Sequence, residues 1–363
     1  TEVAVLADLL VSACSMYGGS WQEGSGAVWA ENQALRWLAD LAGLPPQAGG
    51  CFVAGGTIGN LSALVAARVA ARAEGRLAPQ ARPVVVAGEA SHSSVRSATD
   101  VMDAELVLVP GRRLEGTALA GVLARPDLEG RVAAVVATAG STNLGLLDDL
   151  ASVADACSAA GVWLHVDGAY GAAALAAPSA RWRFAGIERA DSFIVDPHKW
   201  LFAPYDCCAL VYRDPALGRR AHTQHASYLD VLAQQGEWNP SDFAIHLTRR
   251  ARGLPFWFSL AAYGTEAYAA AVERCLDVVR EGARRIESTP GLSLVCEPEL
   301  SVLAFRREGW SADDYARWSD EQLRTGASFV VPSSHDGEAI LRCCVVNPRT
   351  TIEDLAAVLA SLE

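Results

Sequence analysis

Short apolar runs rich in β-forming residues alternate with longer Ala- and Leu-rich stretches of helical periodicity between about residues 50 and 215. The apolar runs lie at 83–87, 105–109, 132–138, 162–166, 192–195 and 209–212. Strands that alternate with helices build a mainly parallel sheet covered by helices. The pattern therefore predicts an α/β domain whose ligands bind at the carboxyl ends of the strands, where the loops emerge.

The two ends of the chain show different patterns. The first 45 residues are mostly helical in pattern, with a Gly-rich break at 18–26, and the chain starts at Thr1 without an initiator Met. After residue 264 a long helical pattern precedes strand-like runs at 292–295, 302–306, 329–331 and 340–346, with helices around 311–324 and 351–362. We predict three parts: the remnant of a longer N-terminal helical segment at 1–45, a large domain at 46–263 and a smaller α+β domain at 264–363.

Composition excludes several classes of partner. The formal net charge is −12, the acidic residues are dispersed, and no basic stripe offers a surface for a phosphate backbone. Charged residues interrupt every long apolar stretch before it reaches the ~18–20 residues of a membrane span. We expect neither a nucleic acid nor a membrane as partner.

The nine cysteines form no recognisable metal site. Cys207–Cys208 and Cys343–Cys344 are adjacent pairs inside apolar runs, and no CxxC or Cys/His spacing indicates zinc. We therefore expect no metal, buried thiols and a reducing, cytoplasmic location.

Lys199 is the strongest chemical signal. It lies in the segment DSFIVDPHKWL, directly after an apolar strand, and it is the one lysine among 30 Lys and Arg residues. A lysine after an edge strand is usually only a surface residue. Arginine cannot form an imine, however, so a single lysine in an Arg-preferring chain indicates an amine that bonds to a carbonyl group.

Asp167 ends another apolar strand in the segment VWLHVDGAY. Taken alone, it could simply cap a turn. With Lys199 one strand further on, it indicates a carboxylate that pairs with a protonated pyridine nitrogen and keeps the ring electron-withdrawing. The adjacent small residue Ala169 leaves room for a flat ring, so the two signals together predict pyridoxal phosphate (PLP) as the cofactor.

Three further segments could contact this cofactor. The segment AGGTIGN opens a helical pattern, so Gly55, Gly56 and Thr57 could hold a phosphate at a helix N-terminus. Its spacing does not match GxGxxG, which disfavours a nicotinamide enzyme. His92 follows a strand and could stack on the ring, although a solvated loop histidine is the alternative. Thr138, Ser141 and Thr142 follow another strand and could bond the phosphate or the phenolic oxygen.

These motifs together resemble those of the group II PLP-dependent decarboxylases, relatives of aromatic amino acid and glutamate decarboxylases. The similarity covers nearly the whole chain and is most specific in HVDGAYG and DPHKWLFAPYDCCALVYRD. It is supported by GGTIGN, SHSSV, VVATAGSTNLG, the segment at 247–260 and LRCCVVNPRTT.

The resemblance implies a PLP fold-type I enzyme, with a seven-stranded type of sheet, that acts as a homodimer with its active sites at the subunit interface. It implies that Lys199 forms the Schiff base and Asp167 pairs with the pyridine nitrogen. It also implies that His92 stacks over the ring. The remaining contacts that it implies are made by Gly56, Thr57 and His198 near the phosphate, and by Thr142 and Ala169 around the cofactor.

By this resemblance the chain decarboxylates an L-amino acid to its amine. Besides the short N-terminal helical segment, two features depart from the family pattern. Asp196 stands where the family often has Asn, and its charge would repel a phosphate unless it points away or is paired. In the polar stretch at 222–243, a candidate active-site loop, the part at 236–243 has no tyrosine to protonate the carbanion, and Tyr228 lies too far upstream.

Loss of that tyrosine is associated within the family with oxidative decarboxylation–deamination to an aldehyde, although His225 or another subunit could donate the proton. An aminotransferase or a carbon–carbon lyase on the same fold would use the same Lys and Asp. A non-catalytic scaffold is disfavoured because both residues are present. The residues do not choose among aromatic, acidic and basic substrates.

Overall fold

The structure is a computed structural model that describes residues 1–226 and 237–362. The first sheet has seven strands in the order β1-β7-β6-β5-β4-β2-β3. They are β1 (Gly49–Val53), β2 (Val84–Gly88), β3 (Glu105–Val109), β4 (Val132–Thr138), β5 (Trp163–Asp167), β6 (Ser192–Val195) and β7 (Cys208–Tyr212). Strands β3, β2, β4, β5 and β6 run parallel to one another. Strand β7 runs antiparallel to both of its neighbours, β6 and β1. The predicted mainly parallel α/β sheet is confirmed.

Most of the helices cover this sheet or join its strands. Their bounds are α1 (Glu2–Ala13), α2 (Trp21–Leu41), α3 (Gly56–Ala73), α4 (Ser93–Val101), α5 (Gly116–Leu123), α6 (Leu150–Ala160), α7 (Pro178–Arg181), α8 (Pro197–Trp200), α9 (Pro215–His222), α10 (Leu254–Tyr263), α11 (Thr265–Ser288), α12 (Ala312–Thr325) and α13 (Ile352–Ala360). Strands β2, β4 and β5 are buried along their whole length, because helices pack on both faces of a parallel sheet.

A second, four-stranded sheet has the order β10-β11-β9-β8. Its strands are β8 (Leu292–Leu294), β9 (Val302–Arg307), β10 (Ser333–His335) and β11 (Glu338–Cys344), and its described pairings are antiparallel. The prediction of a strand at 329–331 is wrong. Phe329 and Val331 are 74% and 55% exposed, and the pairing begins at Ser333 instead.

One strand of the large sheet was not expected from the apolar runs. β1 has two glycines at its start, which weaken the strand pattern. A Cβ atom on Gly50 would lie 1.9 Å from the carbonyl oxygen of Leu210. The glycine is therefore required by the close approach of β7.

The expected thiol burial is only partly right. Cys207 and Cys208 are buried, but Cys343 is half-buried and Cys344 is exposed, because β11 lies in the smaller sheet with one face less covered. Among residues 1–226 and 237–362, no helix combines the length and apolar character that a membrane span needs. The same residues contain no cluster of three or more potential metal ligands from His, Cys, Asp and Glu.

The predicted N-terminal segment packs on the chain near residue 250. Helix α2 is kinked at Gly24, within the predicted Gly-rich break. Asp8 of α1 pairs with Arg250 at 2.6 Å. Glu31 of α2 is buried and accepts a 2.7 Å hydrogen bond from the backbone N–H of Gly253. The division at residues 45 and 263 stays a prediction.

Glu31 makes stability depend on pH. Burial raises its pKa from 4.5 to about 7. Between these two values the folded chain holds one proton more than the unfolded chain, so the free energy of unfolding falls as pH rises through this window. We expect Glu31→Gln, which keeps an acceptor for Gly253, to remove up to about 3 kcal/mol of this fall.

Chemical denaturation of wild type and Glu31→Gln across this pH window measures the difference. Glu23→Gln, which changes an exposed carboxylate on the same helix, is the matched control and should keep the wild-type slope. Equal slopes for wild type and Glu31→Gln would show that Glu31 is charged throughout the window.

Candidate active site

The carboxyl ends of the central parallel strands bring most of the predicted site residues together. Thr138 at the end of β4 lies beside Asp167 at the end of β5, and Asp167 lies beside Ile194 of β6. The N-terminus of α3 reaches the same edge, since a Cβ atom on Gly56 would lie 3.3 Å from Cβ of Ala169. This is the edge at which the sequence placed the ligand site.

Asp167 carries a nearly buried carboxylate, 5% exposed, with a defined orientation. Its Oδ2 atom accepts a 2.8 Å hydrogen bond from Nδ2 of Asn60, and its Oδ1 atom accepts a 3.1 Å bond from the backbone N–H of Ala169. Each oxygen therefore has one donor inside the protein, and the remaining lone pairs can accept a proton or an N–H group from a ligand.

A buried chain of polar side chains supports Asp167 from behind. Nε2 of His165 lies 2.8 Å from Oδ1 of Asn60, and Nδ1 of His165 lies 2.8 Å from Oγ of Ser192. Trp163 donates to the same Ser192 hydroxyl at 3.0 Å. Burial lowers the pKa of His165 to about 4, so the imidazole is neutral and can donate through one nitrogen while it accepts through the other.

This order of donors and acceptors determines the orientation of the Asn60 side-chain amide. Its oxygen accepts from His165, so its two N–H groups point at Asp167 and at Oγ of Ser94, 2.9 Å away. Ser94 Oγ lies 2.8 Å from Nδ1 of His92. His92 is exposed and caps the N-terminus of α4. The predicted stacking residue is thus joined by hydrogen bonds to the predicted ring-nitrogen partner.

Lys199 lies in α8, directly after β6. Its Nζ atom is 2.9 Å from Oδ2 of Asp196, a carboxylate that is 1% exposed and also lies 3.6 Å from Nε2 of His198. Burial acts to lower the pKa of Lys199, but attraction to Asp196, with a smaller contribution from Asp167, outweighs it and raises that pKa. The charge of Asp196 is therefore paired with Lys199, which is one of the two possibilities that the sequence left open.

The N-terminus of α3 offers a place for an anion. Gly55 precedes the helix with φ of +83°, a conformation that favours glycine, and no side chain caps the first N–H groups. Thr57 is exposed in the first turn, and a Cβ atom on Gly55 would lie 3.9 Å from Cε1 of His198. Gly55 and His198 are thus neighbours, and the contact of Gly56, Thr57 and His198 with one anionic group stays a prediction.

Thr142 is less well connected. Its side chain is exposed, and no hydrogen bond in the described residues joins it to Asp167 or Lys199. Thr138, the last residue of β4, has a buried Oγ1 atom without a hydrogen-bond partner among those residues. The contact expected from Thr142 stays a prediction.

The candidate loop at 222–243 is described at its two ends. Trp238 stacks on Phe243 with ring centroids 4.4 Å apart and donates to the carbonyl oxygen of Gly50 at 3.1 Å. This end of the loop is therefore packed against β1. Tyr228 and Gly236 lie outside the described residues.

Asn60, His165 and Ser94 lie inside sequence motifs that predict no role for them. One signal was available on β5, since residues two apart in a strand share a face and His165 stands two before Asp167. A second was the spacing from Gly56 to Asn60, which is one helical turn. Neither spacing reveals that the two elements meet.

Comparison with known proteins identifies the family of this chain. A model of the pyridoxal-dependent decarboxylase conserved domain matches residues 2–308. The aromatic-L-amino-acid decarboxylase of Bacillus atrophaeus is 30% identical over 99% of this chain and 78% of its own length. The L-2,4-diaminobutyrate decarboxylase of Rhizobium meliloti (strain 1021) is 32% identical over 96% of this chain and 72% of its own.

A solved structure shows the same fold. The crystal structure of Oryza sativa TDC with PLP and tryptamine superposes with a TM-score of 0.92 at 24% identity. The match covers 100% of this chain and 80% of that one. The PLP fold-type I architecture expected from the sequence is confirmed.

Proposed function

Because this chain belongs to the pyridoxal-dependent decarboxylase family, we propose that it converts an L-amino acid to its amine with Lys199 as the attachment point of PLP. The enzyme is a PLP-dependent carboxy-lyase. The observation that carries the proposal is the meeting of one reactive amine, Lys199, and one buried carboxylate, Asp167, at the carboxyl edge of the sheet.

The residues of this edge fit PLP in three respects. An aldehyde needs a primary amine, and Lys199 is the one lysine of the chain. A pyridine nitrogen needs an acid partner, and both oxygens of Asp167 keep lone pairs beyond the donors they already have. A phosphate needs N–H donors, and α3 begins there behind a glycine without a side-chain cap.

When bound, PLP supplies an electron-accepting ring for the negative charge that develops as CO2 leaves. Asp167 would hold a proton on the ring nitrogen, because a carboxylate stabilises a neighbouring cation. The chain of Asn60, His165 and Ser192 would keep its carboxylate from rotating. His92 would lie against one face of the ring, with Gly56, Thr57 and His198 at the phosphate, and Ala169 and Thr142 beside them.

We also propose a homodimer with the active site at the subunit interface. Supporting this, α1 exposes Val5, Leu6 and Leu9 at 60–66%, and Trp29 of α2 is 49% exposed. Apolar side chains of this size on a helix face usually pack against another protein surface.

The reaction type is tested with purified full-length protein, PLP and a panel of L-amino acids. The panel contains aromatic amino acids, L-2,4-diaminobutyrate, L-histidine and L-glutamate, and mass spectrometry identifies the products. We expect an amine and one CO2 for each substrate molecule consumed. Lys199→Ala serves as the background control.

Two other results would overturn the proposal in different ways. An aldehyde, ammonia and CO2 formed with consumption of O2 would establish oxidative decarboxylation–deamination, the outcome that the missing tyrosine in 236–243 left open. A keto acid formed without CO2 when a second keto acid is present would establish an aminotransferase.

A further inference from the structure

Asp196 is a buried carboxylate that has no part in the reaction as proposed above. It stands at the end of β6, 1% exposed, and its Oδ2 atom lies 2.9 Å from Nζ of Lys199. Its Oδ1 atom has no hydrogen-bond partner among the described residues. A buried carboxylate with one oxygen unsatisfied is costly, so its charge depends on the cation beside it.

The backbone fixes Asp196, whereas the side chain of Lys199 is long and 37% exposed. The backbone N–H of Asp196 donates to the carbonyl oxygen of Ala169 at 2.9 Å, and its own carbonyl oxygen accepts from the N–H of Lys199 at 2.9 Å. A Cβ atom on Gly56 would lie 3.3 Å from Oδ2 of Asp196. The carboxylate of Asp196 is therefore held in one position, and the longer side chain of Lys199 is the one that can change its conformation.

Other titratable groups near Lys199 come from each neighbouring element. They are Asp167 at the end of β5, His198 on α8, Cys208 on β7 and Cys344 on β11. Burial raises the pKa of the Cys208 thiol, which keeps that thiol neutral near pH 7. Asp196 is the group with a hydrogen-bond-length contact to Nζ, and attraction falls with distance, so it dominates.

We infer that Asp196 is a positioning residue for Lys199. It holds the side chain as an ammonium at a fixed place whenever Nζ carries no covalent partner, and it thereby sets the pH above which Nζ can react. The inference rests on the proposed function, in which Nζ attaches the cofactor. An ammonium has no lone pair, so the loss of its proton must precede any bond to a carbonyl carbon. An amide at position 196 would remove this control.

The single lysine makes the test direct. The cofactor-free full chain is treated with 1-fluoro-2,4-dinitrobenzene over a range of pH, and the rate of labelling at Lys199 is followed by peptide mass spectrometry. An opposite charge in contact shifts a pKa by about 1–3 units, so Asp196→Asn should be labelled at least about tenfold faster at pH values below the ordinary lysine pKa. Its rate–pH profile should move to lower pH by the corresponding shift of about 1–3 units.

Asp206→Asn is the matched control. It removes a carboxylate of the same segment that pairs with Arg252 at 2.9 Å, and it should leave the profile of Lys199 at the wild-type position. Coincident profiles for wild type and Asp196→Asn would overturn the inference. If Asp196→Asn does not fold, the rate–pH profile of wild type is compared with that of free N-acetyl-lysine. A midpoint pH for Lys199 at or below that of N-acetyl-lysine overturns the inference, and a higher midpoint pH supports it.

Failure of the proposed function gives a different result. Wild type loaded with PLP and reduced with borohydride should carry a pyridoxyl group on Lys199. If Lys199 stays unmodified there, the proposed attachment is wrong, whatever the labelling profiles of the cofactor-free chain show. If Lys199 is modified but the profiles coincide, only the role of Asp196 is wrong.

Discussion

Lys199→Ala is expected to lower the rate of product formation by about a thousandfold or more, the size of loss seen when a covalent nucleophile is removed. Alanine has no amine, so the chain can hold PLP only by noncovalent contacts at Asp167 and at the N-terminus of α3. The chain contains no second lysine whose side chain could replace that of Lys199. Turnover of the best substrate of the panel, at saturating PLP, measures the effect.

Lys199→Arg separates charge from chemistry. The guanidinium keeps a positive charge against Asp196, so the buried carboxylate stays paired, but it cannot form a covalent bond with an aldehyde. We expect this variant to fold better than Lys199→Ala and to be equally inactive. Wild-type turnover in either variant would contradict the assignment of Lys199.

The sheet and its functional edge could be predicted because both depend on local patterns. The runs at 105–109, 132–138 and 192–195 coincide with β3, β4 and β6. A parallel sheet gathers the carboxyl ends of its strands at one edge, so Asp167 and Lys199 could be placed together without knowledge of any contact. This reasoning needs only the strand ends and their direction.

The polar chain behind Asp167 could not be predicted in the same way. Asn60 bonds to Asp167 across 107 positions of sequence and to His165 across 105. Which helix residue faces which strand residue depends on how α3 lies across the sheet, and hydrophobic periodicity does not specify that. The same holds for β1. Its two glycines weaken the strand pattern in the sequence, and only the close approach of β7 explains why glycine is needed there.

Asp196 shows the limit of inference from a motif. The sequence indicated a charge that would repel a phosphate unless it pointed away or was paired. Its carboxylate is paired with Lys199, three positions along the chain. That spacing permits the contact when Lys199 lies in the turn of α8, but a turn as short as four residues leaves almost no periodic signal. The sequence therefore predicts that the site is polar, but it does not predict that Asp196 pairs with Lys199.

Asp167→Asn is expected to lower turnover by at least about a hundredfold, the loss typical when one preorganised electrostatic contact is removed. Asparagine has no negative charge to hold a proton on the pyridine nitrogen, so the ring withdraws electrons less strongly. It also presents one acceptor where Asp167 has two. Because Asn60 and the N–H of Ala169 are both donors, the new amide must turn its NH2 group toward one of them.

The loss of a buried contact alone would also lower stability, so the control must reproduce that loss at a distance from the ring. Asp191→Asn does so. Its carboxylate is half-buried and accepts a 2.8 Å hydrogen bond from the backbone N–H of Leu164, near the opposite end of β5. We expect both variants to lower the midpoint of thermal unfolding, and only Asp167→Asn to lower turnover per folded molecule and weaken retention of PLP during dialysis. Equal turnover in the two variants would show that Asp167 serves the fold alone, because the charge at the ring would then make no difference to the reaction.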